Sequence, residues 1–285
     1  PELIIAVGGG GVMDLAKCAN VLHDTKFINK NINNLNFLIK KKYCEIICIP
    51  TTAGSGAEVT RHAVLYLNKA KYSIEHSDVY PDYFFLDPSL ILSLPKYYGA
   101  SANIDAISQS IESILSLRSN EKSIEFASKA LELCSKNIGQ HTSSSNITNS
   151  TKMLLGANLA GKAINISKTT APHAISYPIT SCFGVSHGQS VCITLPDILE
   201  YNFNNLKYSK TKFDLNKRFN IIFNILKVKN IIQLNHKIKK IIQEIGLTNN
   251  IRDLGIKNAD HINSILKFIN LQRLDNNPIA LNKNI

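Results

Sequence analysis

The sequence lacks the segments that would place it in or across a membrane. No run approaches the roughly 18 to 20 consecutive apolar residues that a membrane-spanning helix needs. The first residues also lack the charged, apolar and small-residue regions of a secretory signal peptide. The chain opens on Pro1 rather than Met and enters an apolar stretch at once, so we expect this sequence to be a fragment whose true N-terminus, with any targeting signal, precedes it. We therefore expect no membrane partner.

Paired cysteines and a concentrated basic surface are absent as well. The six cysteines form no Cys-x-x-Cys pair and lie among apolar residues, which predicts reduced core thiols in a cytoplasmic protein. The formal net charge is +11, but the lysines are interspersed with Asn and Ile, as over residues 227–240. This pattern is typical of amphipathic helices with solvated basic faces, so we expect no nucleic-acid partner.

Two regions with different hydrophobic patterns meet near Asp87, and no internal repeat is visible. Strands are predicted at residues 3–7, 46–49, 59–66 and 83–86, with a helix from Met13 to about His23 and a polar loop over 29–36. Helices are predicted at residues 101–117, 122–138, 147–164, 189–201, 219–226 and 231–245. The sequence therefore predicts a partial α/β dinucleotide-binding domain over residues 1–86 and an all-helical domain over 87–285.

Four consecutive glycines, Gly8 to Gly11, lie between the first predicted strand and the first predicted helix. Because glycine has no side chain, backbone N–H groups at the helix N-terminus can face an anion there, and a diphosphate is the natural occupant. The segment is not a Gly-x-Gly-x-x-Gly fingerprint, and a tight turn is the alternative interpretation. A second small-residue segment, 51–60, is rich in hydroxyl groups and is, taken alone, equally compatible with a plain turn.

One carboxylate and two imidazoles are the ligand types of a divalent-metal site that keeps a coordination position open. We assign Asp105, His173 and His187 to this role because the two histidines lie in small, uncharged surroundings. Gln109 follows Asp105 by four residues and Tyr177 follows His173 by four, so each pair shares a helix face. The other six histidines are interpreted as surface or packing residues. A metal site together with a nucleotide loop predicts an enzyme.

Taken together, these segments resemble the iron-containing, or group III, alcohol dehydrogenase family. Gly8-Gly-Gly-Gly-Val-Met-Asp14-Leu-Ala-Lys17 is similar to its Gly-Gly-Gly-Ser-x-x-Asp-x-Ala-Lys motif, with Gly11 in the Ser place. Residues 49–60 are similar to its Pro-Thr-Thr-Ala-Gly-Thr-Gly-Ser-Glu-Val-Thr motif, and residues 87–95 and 276–278 also fit. The resemblance implies a dehydroquinate synthase-like fold and metal-assisted hydride transfer with NAD or NADP.

The resemblance also implies the site residues. Those implied for the nucleotide are Gly8, Gly9, Gly10, Gly11, Asp14, Thr51, Thr52 and Ser55, and those implied for the metal are Asp105, Gln109, His173 and His187. Gln109 stands where the family has a histidine, and because an amide oxygen is a weaker ligand, the fourth position falls either to Gln109 or to water. Zinc then becomes as plausible a metal as Fe(II). Tyr177 stands where many members carry a histidine near the substrate, so proton delivery falls to Tyr177, to water or to the cofactor ribose.

Residues 105–113 and 160–178 are similar to the phosphonoacetaldehyde reductase branch of the family. Lys168, with Thr169 and Thr170, precedes His173 closely enough to hold a dianionic phosphonate beside the metal. The alternative for Lys168 is an exposed cation at a helix end. On this resemblance we predict the reduction of phosphonoacetaldehyde to 2-hydroxyethylphosphonate, with Lys168 and Tyr177 as the catalytic side chains.

Three other functions stay open. One is a generic iron-type alcohol dehydrogenase that acts on a small neutral alcohol or aldehyde. Another is a dehydroquinate synthase-like lyase, which the lack of a dense Lys/Arg cluster around the metal motifs disfavours. The last is a truncated, non-catalytic remnant, because the family's first βα units are absent here and the final helix is cut after Ile285. A homodimer is the one protein partner that we leave open.

Overall fold

The α/β region of the computed structural model contains two small sheets. Of the whole chain, the structure describes residues 1–22, 39, 41–67, 70–269 and 271–281. Strands β1 (Leu3–Gly8), β2 (Glu45–Pro50) and β5 (Tyr83–Phe84) form a parallel sheet in the order β1-β2-β5. Strands β3 (His62–Leu67) and β4 (Ala70–Glu75) form an antiparallel hairpin that pairs His62 with Glu75. Helix α1 (Gly10–Val21) follows β1 directly and contacts both sheets.

Helices make up the rest of the described chain. They are α2 (Lys96–Leu115), α3 (Glu121–Ser143), α4 (Ile147–Ser167), α5 (Ala171–Phe183), α6 (His187–Cys192), α7 (Leu195–Asn204), α8 (Leu215–Leu226), α9 (Ile231–Glu244), α10 (Ala259–Lys267) and α11 (Leu271–Leu274). Among the described residues, none of these helices combines the length and the apolar character that crossing a bilayer requires. The change from strands to helices after β5 confirms the predicted fold class of an α/β part followed by a helical part.

Two predicted elements differ from the structure, and one strand has no predicted counterpart. Strand β3 begins at His62 rather than Val59, because residues Ala57–Val59 form a single turn of 3-10 helix. Strand β4 was not predicted, since charged residues interrupt the apolar alternation that would mark it. The predicted helix over 189–201 is two helices, and Pro196 lies in the first turn of the second, where the missing N–H is tolerated. The predicted loop at 29–36 lies outside the described residues.

Helix α2 forms the centre of the helical core. Sixteen of its 20 residues are buried, and they include many serines together with charged and amide side chains. Ile104, Ile107 and Ile111 on this helix pack in one apolar cluster with residues of α3, α4, α8 and α9. Because buried polar groups are costly without partners, the polar face of α2 requires hydrogen bonds or a ligand.

Close backbone contacts set the position of two elements around α2. A Cβ on Gly188 of α6 would lie 1.8 Å from the backbone oxygen of Ser101 on α2, so the helices approach this closely only with glycine. Gly56 has a φ of +62°, and a Cβ on it would lie 2.4 Å from the Cα of Gly161 on α4, so this contact also requires glycine. These contacts bring His187, the residue before Gly188, and the loop that follows β2 against the helical core.

Lys17 joins the two halves of the α/β region. Its side chain is fully buried, and its ammonium donates to the backbone oxygens of Ala57 at 2.9 Å and His62 at 2.6 Å and to the Thr60 hydroxyl at 3.2 Å. Asp14 lies one helical turn earlier, 3.4 Å from the ammonium, and accepts the N–H of Val64 at 2.9 Å. Helix α1 is therefore tied to the loop after β2 and to the hairpin.

Strand β1 lies at one side of the described parallel sheet. Its side chains alternate, so that Leu3, Ile5 and Val7 share one face, and all three are exposed. No element within the described ranges covers this face or pairs with the outer edge of β1. Within the described ranges, the sheet therefore has an apolar face and an edge strand at β1.

Replacement of Lys17 by methionine tests the role of the buried ammonium. The variant leaves Asp14 and three acceptors without their cation, and we expect the free energy of unfolding to fall by about 3 kcal/mol. Urea unfolding followed by circular dichroism measures the change. Lys136→Met is the control, because Lys136 forms an exposed ion pair with Glu132 and should cost less than about 0.5 kcal/mol. Equal losses in both variants would contradict the assignment.

Candidate functional site

A cavity of about 590 Å³ lies between the α/β region and the helical region. It brings most of the predicted site residues together. Its polar lining residues include Asp14, Thr52, Ser55 and His62 from the first region and Asp105, Gln109, Thr169, His173, Tyr177, His187 and Arg273 from the second. Gly10 and Gly11 also line it. Five of the eight predicted nucleotide residues and all four predicted metal ligands therefore open onto one space.

The N-terminus of α1 forms one end of this cavity. Helix α1 begins directly after Gly9, and no side chain caps it, so its first N–H groups are available to an anion. A Cβ on Gly10 would lie 2.6 Å from the Ser55 hydroxyl, whereas a Cβ on Gly11 would meet no atom within 4 Å. Glycine is thus required at position 10 for contact between the two loops, and the space beside Gly11 has room for a ligand.

Of the five remaining predicted nucleotide residues, two line the cavity and three do not. Thr52 lines the cavity, whereas Gly8, Gly9 and Thr51 are not among the residues that do. The N–H of Thr51 donates to the Gly8 oxygen at 3.0 Å, a contact that holds the two loops in register. Asp14 lines the cavity, but its two carboxylate oxygens accept from Lys17 and from the Val64 N–H. In the structure Asp14 therefore fixes the loops around the cavity.

The predicted metal ligands converge at the other end of the cavity. Asp105 and Gln109 come from α2, His173 from α5 and His187 from the start of α6. One ligand atom each from Asp105, His173 and His187 lies within 4.8 Å of the others. The Asp105 Oδ1 atom is 3.2 Å from His173 Nε2 and 3.9 Å from His187 Nε2.

Several buried atoms at this cluster lack hydrogen bonds. Asp105 Oδ1, Gln109 Oε1 and His173 Nε2 are buried and make none in the described structure. The amide N–H of Gln109 donates to Asp105 Oδ2 at 3.0 Å, so this hydrogen bond does not involve Asp105 Oδ1. Because burying such atoms without a partner is costly, a cation between them is the simplest way to satisfy them. The residues present thus fit a divalent metal ion.

Glu112 is a site residue that sequence reasoning missed. It lies seven residues after Asp105 on the same buried face of α2, and its Oε1 accepts the Nδ1 hydrogen of His173 at 2.5 Å. Its Oε2 accepts the N–H of Thr170 at 2.7 Å and the Thr170 hydroxyl at 2.9 Å. A carboxylate that accepts from Nδ1 fixes the tautomer in which Nε2 carries a lone pair for a metal. The spacing from Asp105 was the signal that could have identified it.

The charges around His173 favour a positive species. Burial disfavours the charged imidazole, but Glu112 and Asp105 outweigh it and raise the pKa of His173 to about 9. Burial also acts against the Asp105 carboxylate, yet the nearby His187 and His173 hold the pKa of Asp105 below its usual value. The cluster therefore attracts positive charge, as a metal-binding site must.

Tyr177 and Arg273 lie next to this cluster. The buried ring of Tyr177 stacks on the His187 ring, with centroids 6.0 Å apart and planes at 6°. The guanidinium carbon of Arg273 lies 5.5 Å from the Tyr177 ring centroid, and Arg273 Nη1 donates to the Thr169 hydroxyl at 2.7 Å. A phenol and a guanidinium thus lie beside the candidate ligands, and the sequence analysis had identified only the phenol.

Lys168 does not line the cavity. It caps α4 with a φ of +63°, its ammonium forms an ion pair with Glu75, and it lies 3.1 Å from His62 Nε2. The alternative of an exposed helix-end cation is wrong, because the side chain is only 11% exposed. Direct contact between Lys168 and a substrate stays a prediction.

His62 was interpreted as a surface or packing residue, but it lines the cavity. Burial, together with the positive charges of Lys168 and Arg273, lowers the pKa of His62 to about 2. The imidazole is therefore neutral, and its Nε2 accepts from Lys168. A lone histidine at the start of a strand gave no sequence signal for this position.

Comparison with known proteins identifies the family. A family model described as iron-containing alcohol dehydrogenase matches residues 1–88, and one described as Fe-containing alcohol dehydrogenase family, C-terminal, matches residues 99–284. The chain belongs to the iron-containing alcohol dehydrogenase family. Membership confirms the family and the fold class that the sequence predicted.

Individual members of the iron-containing alcohol dehydrogenases show the same relation. Long-chain-alcohol dehydrogenase 1 from Geobacillus thermodenitrificans is 33% identical over 70% of this chain and 51% of its own length. Phosphonoacetaldehyde reductase from Streptomyces viridochromogenes is 30% identical over 70% of this chain and 53% of its own length. The chain thus spans about half the length of these relatives.

Among solved structures, sulfoacetaldehyde reductase from Bifidobacterium kashiwanohense, crystallised with NAD+, matches with a TM-score of 0.85 and 27% identity. The match covers 99% of this chain and 73% of that one. The family description and this NAD+ complex agree with the predicted oxidoreductase class and with the predicted cofactors, NAD or NADP and a divalent metal.

Single substitutions test the ligand set. We expect His173→Ala and His187→Ala to remove the bound metal, because each deletes one of the strong ligands, whereas Gln109→Ala should retain most of it. Elemental analysis of the purified full-length proteins measures the metal content. His236→Ala is the matched control, since His236 is exposed and does not line the cavity. Full metal content in both His173 and His187 variants would refute the ligand assignment.

Glu112→Gln tests the orienting carboxylate separately. The substitution keeps the shape but removes the negative charge, and its amide opposes the Thr170 N–H. We expect metal affinity to fall by about 10- to 100-fold while the fold is retained. Competition with a chelator gives the affinity. The control is Glu121→Gln, because Glu121, the first residue of α3, is exposed. If the metal affinity of Glu112→Gln equals that of this control, Glu112 does not belong to the site.

Proposed function

We propose that this chain is the principal part of a metal-dependent enzyme that reduces an aldehyde to an alcohol with NADH or NADPH. The observation that carries the proposal is that the Asp105, His173 and His187 cluster opens onto the same cavity as the N-terminus of α1. Electron donor and Lewis acid must meet at one carbonyl group in such a reaction, and one shared cavity allows that.

The α/β region supplies the nucleotide side of this proposal. The first N–H groups of α1 bind the diphosphate beside Gly10 and Gly11, with the hydroxyls of Thr52 and Ser55 nearby. The Gln109 amide donates to Asp105 Oδ2 at 3.0 Å and lies 3.5 Å from the backbone oxygen of Ser55, so it connects the loop after β2 with the metal side. The residues that would hold the cofactor and those that would hold the metal are therefore linked through one side chain. The division into domains at residues 86 and 87, the cytoplasmic location and the homodimer stay predictions.

The helical region supplies the metal side. Asp105, His173 and His187 would hold the ion, with the Gln109 oxygen as a further ligand, and Glu112 fixes the His173 ring. When bound, the metal supplies Lewis-acid polarisation of the aldehyde and the cofactor supplies the hydride. Tyr177 donates the proton that completes the alcohol, because its phenol lies in the cavity against His187.

We propose phosphonoacetaldehyde as the substrate and 2-hydroxyethylphosphonate as the product. The relative named phosphonoacetaldehyde reductase and the structural neighbour named sulfoacetaldehyde reductase both support an aldehyde with an anionic group on its second carbon. The cavity supports it as well, since Arg273 is exposed to it.

A second candidate is the reduction of a neutral aldehyde. Apolar side chains also line the cavity, among them Leu15, Val64 and Ile164. The relative named long-chain-alcohol dehydrogenase 1 agrees with such a lining. The two candidates share every catalytic residue and differ only in the substituent that the cavity accepts.

Steady-state kinetics of the full-length, metal-loaded enzyme separates the two candidates. We expect a kcat/KM for phosphonoacetaldehyde at least about tenfold above that for propanal, because the anionic group gains a charge-assisted contact. Tyr177→Phe should lower kcat by about 100-fold with little change in KM, as loss of a proton donor does. NADH and NADPH are tested in turn.

His173→Ala serves as the inactive reference in these assays. A wild type that prefers propanal or a long-chain aldehyde would establish the neutral-aldehyde candidate. Unchanged kcat in Tyr177→Phe would transfer proton delivery to water or to the cofactor ribose. An enzyme that carries metal and cofactor but turns over no aldehyde would establish the non-catalytic alternative.

A further inference from the structure

We infer that Arg273 is the specificity-determining residue of this site and that its guanidinium binds the anionic group of the substrate. The ligand class is a short aldehyde or alcohol with a phosphonate, sulfonate or carboxylate one or two carbons from the reacting carbon. The inference deepens the proposed function and rests on it.

The position of Arg273 is fixed by its surroundings. Helix α11 packs against α5, and the buried side chain of Asn276 donates to the backbone oxygens of Ser167 at 3.0 Å and Thr169 at 2.9 Å. Arg273 itself donates to the Thr169 hydroxyl at 2.7 Å. A guanidinium held in this way loses little conformational freedom when it binds a ligand.

Arg273 also lies at the right place along the cavity. Its guanidinium carbon is 5.5 Å from the Tyr177 ring centroid, and the same ring stacks at 6.0 Å on the candidate ligand His187. Arg273 and His187 both contact the Tyr177 ring, so the guanidinium and one candidate metal ligand lie within two ring contacts of each other. A two-carbon aldehyde with an anionic substituent has the length to contact both ends.

The charges near Arg273 favour an anion. Glu75 is one carboxylate in this part of the described structure, and it is shared by Lys168 and Arg61, whose Nη2 lies 3.2 Å from it. His62 lines the cavity beside Lys168 and is neutral. The positive charges of Lys168, Arg273, Lys17 and Arg61 all act on His62, so the electrostatic field in this part of the cavity favours an anion.

Arg273 suits this role better than Lys168. Lys168 does not line the cavity, and its ammonium contacts Glu75 and His62, whereas Arg273 lines the cavity. The planar guanidinium presents parallel N–H groups that match two oxygens of a phosphonate, sulfonate or carboxylate. The Thr169 hydroxyl accepts from Arg273, which leaves its own hydrogen to donate to the same anion.

Calorimetric titration of the full-length, metal-loaded protein with NAD+ present tests the inference without turnover. The probes are 2-hydroxyethylphosphonate and 2-hydroxyethylsulfonate. We expect Arg273→Met to weaken both by about 10- to 100-fold, because a charge-assisted contact is lost, and to leave NAD+ binding within about twofold of wild type. The Met side chain keeps the apolar contact with Tyr177. If Arg273→Met does not fold, Arg273→Gln gives the same measurement.

Two further variants and one kinetic measurement complete the experiment. Arg252→Met is the control, since Arg252 is exposed and does not line the cavity, and it should bind both probes as wild type does. Lys168→Met should weaken the probes by less than about fivefold, because the ammonium acts only at a distance. In Arg273→Met the kcat/KM for propanal should fall less than that for phosphonoacetaldehyde, as a neutral aldehyde has no group for Arg273 to bind.

Other results would overturn the inference. Weakened NAD+ binding in Arg273→Met would assign the residue to the cofactor, and an equal loss with propanal would assign it to the architecture of the site. A larger loss in Lys168→Met than in Arg273→Met would return anion binding to Lys168. These results differ from failure of the proposed function, in which the probes bind as expected but no aldehyde is reduced.

Discussion

The contact between Glu112 and His173 is the interaction on which the candidate site depends. It involves α2, a helix with sixteen of its 20 residues buried, so the orientation of a candidate metal ligand is set by the hydrophobic core itself. Ile104, Ile107 and Ile111 pack on the apolar side of this helix, while Asp105 and Gln109 line the cavity and Glu112 contacts His173. Movement of α2 by a fraction of an ångström would disturb core and ligands together, because packed interiors resist small displacements.

The α/β region depends on a buried charge of the opposite sign. The ammonium of Lys17 holds the loop after β2 and the hairpin against α1, and the Gly10 backbone meets Ser55 in that same arrangement. Gln109 then connects Ser55 to Asp105. A chain of polar contacts thus runs from Lys17 through Ala57, Ser55 and Gln109 to Asp105, and each link is buried or half-buried. Such a chain preorganises the site, since few of its members are free to move when a ligand binds.

Sequence reasoning found the residues whose signal is local. The glycine loop follows a strand and precedes a helix, and Asp105, His173 and His187 occur in recognisable motifs, so their types and order were enough to select them. Arg273 and Glu112 escaped because their partners lie far away in sequence: Arg273 contacts a residue 104 positions earlier, and Glu112 one 61 positions later. Helix α5 was missed for a local reason, since its two prolines and small residues obscure helical periodicity. Strand β4 exists because β3 pairs with it, which no short window reveals.

The distribution of charge in the cavity selects one orientation for a bifunctional substrate. Asp105 and Glu112 make the ligand cluster attractive to a cation, which the aldehyde oxygen would contact, while Arg273, with Lys168 behind it, is the proposed contact for the phosphonate or sulfonate beside that cluster. An anionic aldehyde therefore gains only when its carbonyl faces the ligand cluster. A neutral aldehyde gains nothing from this field and can enter either way round. Because orientation of the reacting carbon is a large part of the catalytic effect, the same charges that bind the anion also raise the fraction of bound substrate that is ready to react.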